Sequence, residues 1–223
     1  VIDWLCVRHH LNLTLVEGFL YPGHSVPRMH APPSRAGADL MADLSRAVAV
    51  ADIPVMTQAH VTDIYADTHG GVTGTRIKRP DGGVEYIGCE VLILACNGFG
   101  GNADMVQTHI PDMADALYFG HQGNQGDAIV WGQALGAETR HLGSYQGHGS
   151  VAQPHGILIS WALMMQGGLQ INCDGKRFSN EHQGYSEQAR RVIAQPGGTV
   201  WNLFDARLLH LGRGFEDFRQ AEA

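Results

Sequence analysis

Hydrophobic residues recur every three or four positions over residues 37–51, where Leu40, Leu44 and Val48 share one face. That spacing is typical of an amphipathic helix. Pro54 closes the segment, because a proline disfavours helical backbone in the residue before it. On the N-terminal side, the pattern predicts the end of a helix over residues 1–8, a strand over residues 11–16 and a long loop over residues 19–36.

Strand patterns dominate the next part of the chain. β-branched and apolar residues lie between turns rich in Asp, Gly and Pro, which is typical of a β-meander. Residues 91–95, at the end of this part, are uniformly apolar, and they predict a buried strand. The predicted strands are residues 53–57, 60–66, 72–79, 84–88 and 91–95. The meander interrupts strict alternation of strands and helices, so we expect an α/β fold, a three-layer domain with an antiparallel appendage.

The remaining chain divides near Leu142. Short helices are predicted over residues 103–109 and 127–135, and Gly136 supplies a stop signal. Beyond this point Gly, Gln, His and Ser become dense, and a hairpin is predicted over residues 169–178. We therefore predict one domain over residues 1–142 and a smaller α+β domain over residues 143–223.

Composition narrows the class of protein. Hydrophobic residues make up 44% of the chain and charged residues 17%, as in ordinary globular proteins. The net charge of -7 without a Lys/Arg block argues against nucleic-acid binding. The longest strongly apolar run, residues 91–96, is too short for a membrane span, and no signal peptide is visible. We expect a cytoplasmic protein, and the spacing of its thirteen histidines predicts no metal site.

Two glycine-rich segments are candidate ligand contacts. Residues 96–102 follow the predicted buried strand, where small residues let a ligand approach the backbone closely. A tight turn between strand and helix has the same composition. Gly126 and Asp127 open the second helix, where Asp127 serves either as an N-cap or as part of an anion or cofactor contact.

A dense polar cluster occupies the last third of the chain. Titratable groups among glycines are what the wall of an active site requires, although a polar rim between domains has a similar composition. The cluster comprises Tyr145, Gln146, His148, Ser150, His155, Arg177, Asn180, Glu181, His182, Tyr185 and Glu187.

These segments, in this order, resemble the FAD-dependent fumarate reductase/succinate dehydrogenase flavoprotein superfamily, which includes the 3-ketosteroid Δ1-dehydrogenases. Residues 93–102 resemble its LATGGFGxN segment, residues 126–128 its GDG helix start, and residues 172–181 its cap-domain signature ending in RFxNE. The resemblance implies FAD as the cofactor, with a FAD-binding domain and a substrate-capping domain facing each other across the cofactor. The implied FAD contacts are Val61, Ala95, Asn97, Gly98, Asn102, Gly126 and Asp127.

The resemblance also implies the chemistry. FAD exchanges a hydride at N5 with a carbon beside a carbonyl or carboxylate. Tyr185 gives or takes the proton on the neighbouring carbon, and His148 and Ser160 orient the small-molecule substrate. The arginine that acts as the acid in the fumarate reductases corresponds to the position of Tyr185 in this chain. A phenol does not clamp a dicarboxylate as a guanidinium does. A ketosteroid dehydrogenase-like reaction is therefore favoured over simple fumarate reduction.

The chain lacks the GxGxxG segment through which this superfamily binds the ADP half of FAD. We therefore expect an internal fragment that carries part of the FAD-binding domain. An unidentified electron acceptor would reoxidise the flavin. Two alternatives stay open: a flavin-free binding module built on the cap fold, and a sensor of dicarboxylates or steroids.

Overall fold

The computed structural model describes residues 1–17, 20 and 23–222. Helices and strands are mixed, as predicted. The strands are β1 (Thr14–Leu15), β2 (His30–Ala31), β3 (His60–Ala66), β4 (Val72–Lys78), β5 (Val84–Gly88), β6 (Val151–Ala152), β7 (Ile157–Leu158), β8 (Leu169–Ile171) and β9 (Trp201–Leu203). The helices are α1 (Gly37–Val50), α2 (Ala103–His109), α3 (Asp127–Ala134), α4 (Ala162–Met165), α5 (Tyr185–Ile193), α6 (Ala206–Gly212) and α7 (Glu216–Glu222). None of the described helices is long and apolar enough to cross a bilayer.

The chain forms two compact units. One unit combines residues 1–54 with residues 146–223, and the other comprises residues 55–145. This division follows contacts within the chain and does not test the assignment of residues 1–142 to a FAD-binding domain and 143–223 to a cap. That assignment stays a prediction.

The unit of residues 55–145 contains the predicted meander. Strands β3, β4 and β5 form an antiparallel sheet in sequence order. The turn between β3 and β4 is closed by a hydrogen bond from Asp67 N to Gly71 O at 2.8 Å, and Arg79 N donates to Gly83 O at the next turn. Helices α2 and α3 follow within one residue of their predicted bounds. Hydrogen bonds within these short turns therefore set the order of the three strands.

The predicted strands over residues 53–57 and 91–95 are wrong. Among the described residues, neither segment pairs with another strand. Val91 and Ile93 are 78% and 83% exposed, so the second segment is not buried. A strand requires a neighbour that pairs its backbone N–H and C=O groups. The apolar run has no such neighbour in the described chain.

The unit of residues 1–54 and 146–223 contains α1, as predicted. Its core is a cluster centred on Trp161, Leu163 and Met164, all of them almost fully buried, with Leu208 of α6 and Phe218 of α7 packed against them. Burying large apolar side chains is the dominant favourable term in folding. Ile159 and Trp161, the two neighbours of Ser160 in the chain, belong to this core.

The N-terminal predictions hold only in part. The helical turn of Trp4–Arg8 has π-helix geometry, and the predicted strand over residues 11–16 shortens to β1. The predicted loop of residues 19–36 is interrupted by β2, which pairs with β1. The loop residues Phe19, Tyr21 and Pro22 lie outside the described residues.

The predicted hairpin over residues 169–178 is replaced by a different pairing. Strand β8 pairs with β9, about thirty residues later in the chain, and only an isolated bridge joins Ile171 to Arg177. The turn itself is present. Asn172 Oδ1 accepts hydrogen bonds from Asp174 N and Lys176 N, both at 3.0 Å. The local turn formed as predicted, whereas the strand partner depends on distant sequence.

Candidate active site

A pocket of about 520 Å³ lies in the unit of residues 1–54 and 146–223. The three residues predicted to contact substrate, Tyr185, His148 and Ser160, all line it. The full lining comprises His24, Met29, Gln146, His148, Leu158, Ser160, Trp161, Gln183, Gly184, Tyr185, Ser186, Glu187, Phe215 and Asp217.

Tyr185 is the first residue of α5, and Gly184 places it there. Gly184 has φ 121°, a backbone conformation that L side chains rarely adopt. The Tyr185 hydroxyl accepts a hydrogen bond from Gln146 Nε2 at 2.8 Å. Sequence reasoning assigned Gln146 to the polar cluster without a role. Its position two residues before His148 was the available signal.

His148 lies between two aromatic side chains. Its ring stacks on Tyr185, with centroids 5.5 Å apart and planes inclined by 24°. On another side it meets Trp161 edge-on, at 5.8 Å and 86°. Burial lowers the pKa of the His148 imidazole to about 4, and the backbone of Ser150 opposes that shift. His148 is therefore neutral near pH 7.

Ser160 lies two residues before the first residue of α4. Its Oγ accepts a hydrogen bond from Ala162 N at 3.3 Å, so the hydroxyl oxygen helps to satisfy the free N–H groups at the start of that helix. A hydroxyl has a second lone pair and a rotatable hydrogen. Ser160 can therefore contact a ligand in the pocket while it keeps this hydrogen bond.

A buried amide network holds the loop that carries His148. Gln170 is fully buried, and its Nε2 donates to Gly149 O at 2.8 Å. Gln188 Nε2 in turn donates to Gln170 Oε1 at 2.7 Å. Asn202 of β9 also belongs to this network, since its Oδ1 accepts from Gln170 Nε2 at 2.8 Å and its Nδ2 donates to Ser150 Oγ. Paired buried amides are costly to disturb. The network therefore holds Gly149 and Ser150, the two residues that follow His148.

The RFxNE signature supports the structure of this unit. Glu181 is 1% exposed, and its Oε2 lies 2.6 Å from Arg177 Nη2, while its Oε1 accepts from Gln170 N at 2.8 Å. Burial raises the pKa of the Glu181 carboxyl, but the hydrogen bonds from Arg177 and Gln170 outweigh it and leave that pKa lowered. The signature therefore connects β8 to the segment that leads into Tyr185.

Gly149→Ala should disturb the loop of His148. A Cβ at this position would lie 2.8 Å from Gln188 Cγ, and Gln188 is held by its own hydrogen bonds. Overpacking of this kind costs about 1–3 kcal/mol in the free energy of unfolding. Urea unfolding would measure it. Gly37→Ala is the matched control, since nothing lies within 4 Å of its added Cβ. Equal stability of the two variants would contradict the proposed role of the close packing at Gly149.

The two glycine-rich segments of the other unit lie together. Gly126 N donates to Gly98 O at 3.1 Å, and Gly101 N donates to Asn124 O at 2.9 Å. Asn102 caps α2 by accepting from Met105 N at 3.1 Å, and its Nδ2 donates to Gln125 O. Five of the seven predicted FAD contacts therefore belong to one cluster: Asn97, Gly98, Asn102, Gly126 and Asp127.

Gly98 is the position of this cluster that fits a ligand. An added Cβ at Gly98 would meet nothing within 4 Å, whereas at Gly101 it would lie 2.6 Å from Gln122 O. The preceding Asn97 has φ 64°, so the backbone turns sharply here. Gly101 is thus required by packing, while Gly98 has free space beside its Cα. The cluster fits the FAD group that the sequence implies.

Asp127 is not the N-cap of α3. Gly126 occupies that position with φ 88°, and Asp127 is the first residue of the helix. A carboxylate in the first helical turn is favourable toward the positive end of the helix dipole. Val61 and Ala95 lie outside the cluster. Val61 belongs to β3, which pairs only with β4 among the described strands, and Ala95 is exposed.

The carboxylate side chains that line the pocket make it acidic. Glu187 and Asp217 line it, and no Lys or Arg does so among the described residues. The part of the chain that the structure describes also has no cluster of three or more His, Cys, Asp or Glu side chains placed to hold a metal ion. The pocket therefore offers a phenol, a neutral imidazole and a hydroxyl beside two carboxylates.

A family described as FAD binding domain matches residues 4–210. The chain belongs to this family. A relative with 26% identity over 188 residues is a probable fumarate reductase, Ifc3, of Shewanella frigidimarina, and the match covers 83% of this chain and 32% of that protein. The chain spans about a third or less of the length of the curated relatives that it matches. The predicted superfamily is confirmed.

Solved structures share the fold of this chain. The open conformation of a flavocytochrome c3 fumarate reductase aligns over 98% of this chain and 39% of that chain, with 24% identity and a TM-score of 0.78. A 3-ketosteroid Δ1-dehydrogenase from Sterolibacterium denitrificans aligns over 76% of this chain and 33% of that chain, with 22% identity and a TM-score of 0.64. The predicted fold class is confirmed.

Proposed function

We propose that this chain is part of a FAD-dependent oxidoreductase that dehydrogenates or reduces a C–C bond beside an uncharged carbonyl group. The observation that carries the proposal is the pocket, where Tyr185, His148 and Ser160 meet. A dicarboxylate would require cationic partners, and the pocket has carboxylates in their place. A neutral carbonyl substrate faces no such repulsion.

The residues that would hold FAD are the cluster of Asn97, Gly98, Asn102, Gly126 and Asp127, together with Val61 and Ala95. Support comes from the family match and from the open backbone at Gly98. When bound, FAD supplies two-electron chemistry, because its N5 accepts or delivers a hydride. The chain's own residues must then bind the substrate and handle the accompanying proton.

Tyr185 is the residue that moves this proton. Its hydroxyl oxygen can donate a proton to, or take one from, the carbon next to the one that exchanges a hydride. Gln146 holds that oxygen through its amide N–H, and the stacked imidazole of His148 holds the ring. His148 and Ser160 orient the carbonyl oxygen of the substrate by hydrogen bonds. The side chains of Tyr185, His148 and Ser160 are all uncharged in these roles.

Reduction of a dicarboxylate is the second candidate. It is favoured by the relative named as a probable fumarate reductase, which matches 83% of this chain. His148 is then the substrate's carboxylate partner, and the burial that lowers its pKa to about 4 leaves it without a positive charge to pair with that carboxylate. The pocket charges argue for the first candidate.

Flavin bleaching against a substrate panel tests the proposal. The full-length protein, reconstituted with FAD and freed of unbound flavin, should retain a visible flavin spectrum that bleaches anaerobically with cyclic ketones, including steroids. For the reverse reaction, the reduced flavin should be reoxidised by the corresponding enones. Fumarate should reoxidise the reduced flavin far more slowly. Reoxidation by fumarate alone would establish the second candidate, and absence of any flavin spectrum would favour the flavin-free module.

A further inference from the structure

Tyr118 packs against the backbone of the first glycine-rich turn, residues 98–102. An added Cβ at Gly100 would overlap Tyr118 Cε2, and one at Gly120 would overlap the Tyr118 hydroxyl oxygen. Neither position accepts a side chain while the tyrosine ring stays in place. The two glycines therefore leave the space that the half-buried ring of Tyr118 occupies.

The Tyr118 hydroxyl is bonded to the second glycine-rich turn, residues 121–126. Its oxygen accepts a hydrogen bond from Asn124 Nδ2 at 2.7 Å. The backbone oxygen of Asn124 in turn accepts from Gly101 N at 2.9 Å. Asn124 therefore contacts Tyr118 through its side chain and the first turn through its backbone. All of these residues belong to the unit of residues 55–145.

Other hydrogen bonds also join the two turns. Gln125 Nε2 donates to Gly101 O at 3.0 Å, and Gly126 N donates to Gly98 O at 3.1 Å. Neither turn belongs to a sheet, and segments without regular structure open more readily than helices and strands. Each bond between the turns therefore contributes to keeping them together.

The hydroxyl of Tyr118 is the part of this side chain that packing does not explain. A phenylalanine would fill the same space against Gly100 and Gly120. Only a hydroxyl oxygen can accept the hydrogen bond from Asn124 Nδ2. The hydroxyl thus connects the ring that lies on the first turn to the side chain of the second.

We propose that Tyr118 is a positioning residue for the cofactor, which with Asn124 holds the two turns together so that the backbone of Gly98 is in place before FAD binds. The inference rests on the function proposed above, in which Gly98 and Gly126 contact FAD. Tyr118 acts through the turns. An ordered site binds more tightly, because the apparent Kd is the intrinsic Kd divided by the fraction of molecules in the competent form.

Tyr118→Phe in the full-length protein tests the proposal with two measurements. In the protein stripped of FAD, hydrogen–deuterium exchange in peptides covering residues 98–102 and 121–126 should be about two- to tenfold faster, as expected for one lost hydrogen bond. The Kd for FAD, measured by quenching of flavin fluorescence, should rise by a factor in the same range. Unchanged exchange would overturn the proposal. Faster exchange with an unchanged Kd would also overturn it, because Tyr118 would then stabilise the turns without serving the cofactor.

Asn124→Ala is the second variant. It removes the donor to Tyr118 but keeps the backbone oxygen that accepts from Gly101 N. Its effects should match those of Tyr118→Phe, and the double variant should add nothing, because both substitutions remove one and the same hydrogen bond. Additive losses would overturn the pairing. Tyr86→Phe is the control, since it removes a hydroxyl from a side chain of the same unit that is 69% exposed, and it should change neither measurement.

Gly98→Ala separates this inference from the FAD contact on which it rests. Its added Cβ meets nothing within 4 Å, so exchange should match the wild type, whereas a methyl group facing the cofactor should raise the Kd for FAD. A raised Kd in Gly98→Ala with an unchanged Kd in Tyr118→Phe would overturn this inference alone. An unchanged Kd in Gly98→Ala, or a wild-type protein that binds no FAD, would overturn both. Neither measurement depends on turnover, so failure to bleach with any ketone would remove only the proposed reaction.

Discussion

Tyr185→Phe should lower kcat about 10²–10⁴-fold on whichever substrate bleaches the flavin, because general acid–base catalysis is worth roughly that factor. The substitution removes the hydroxyl oxygen that Gln146 holds at 2.8 Å. It keeps the ring that stacks on His148. KM should therefore change much less than kcat. Steady-state rates with a fixed electron acceptor would measure both constants.

The control for this substitution is Tyr86→Phe. Tyr86 is 69% exposed on β5, and its ring neighbours only that of Tyr65 among the ring contacts described. It should retain wild-type rates. If Tyr185→Phe also turned over at the wild-type rate, Tyr185 would be a packing residue and the proton would have to come from elsewhere.

Local patterns explain which parts of the fold could be predicted. Helix α1 follows from apolar spacing, and the meander of β3, β4 and β5 follows from Asp- and Gly-rich turns that close on themselves. Each of these depends on contacts between residues near in sequence. The turn at Asn172 belongs to the same class, since its side chain accepts from backbone groups two and four residues later.

Strand partners could not be predicted in the same way. The run of residues 91–95 has the composition of a buried strand, but no described strand pairs with it. Strand β8 has a plausible hairpin partner nearby, yet it pairs with β9. Apolar alternation indicates that a segment can form a strand, whereas its partner is determined by tertiary packing.

The candidate site shows the same limit. Family motifs led to Tyr185, His148 and Ser160, and all three line one pocket. Gln146 was missed because its partner Tyr185 lies 39 residues away. Trp161 was not singled out from the sequence, although it lines the same pocket.

Glu181→Ala should lower the stability of the unit of residues 1–54 and 146–223. It leaves the fully buried Gln170 N–H without its acceptor, at a cost of about 1–3 kcal/mol in the free energy of unfolding. It also removes the carboxylate partner of Arg177. Urea unfolding near pH 7 would measure the loss. Because Gln170 also holds the backbone of Gly149, the loop of His148 should loosen as well.

Glu138→Ala is the matched control. Glu138 also pairs with an arginine, Arg140, through two hydrogen bonds, but both side chains are about 70% exposed. Exposed ion pairs contribute little to stability, since water solvates both partners. This variant should unfold at the same urea concentration as the wild-type protein. Equal losses in the two variants would show that burial of Glu181 is not what matters.

The pH dependence of this difference has a definite sign. Hydrogen bonds from Arg177 and Gln170 leave the pKa of Glu181 below its ordinary 4.5, despite the burial that raises it. A carboxyl with a lowered pKa stabilises the fold above its unfolded value, and that contribution is lost as pH falls through the folded value. The gap between wild type and Glu181→Ala should therefore be full near neutral pH and narrow below about 4.5. A gap that stays constant into strong acid would mean that the charge of Glu181 contributes nothing.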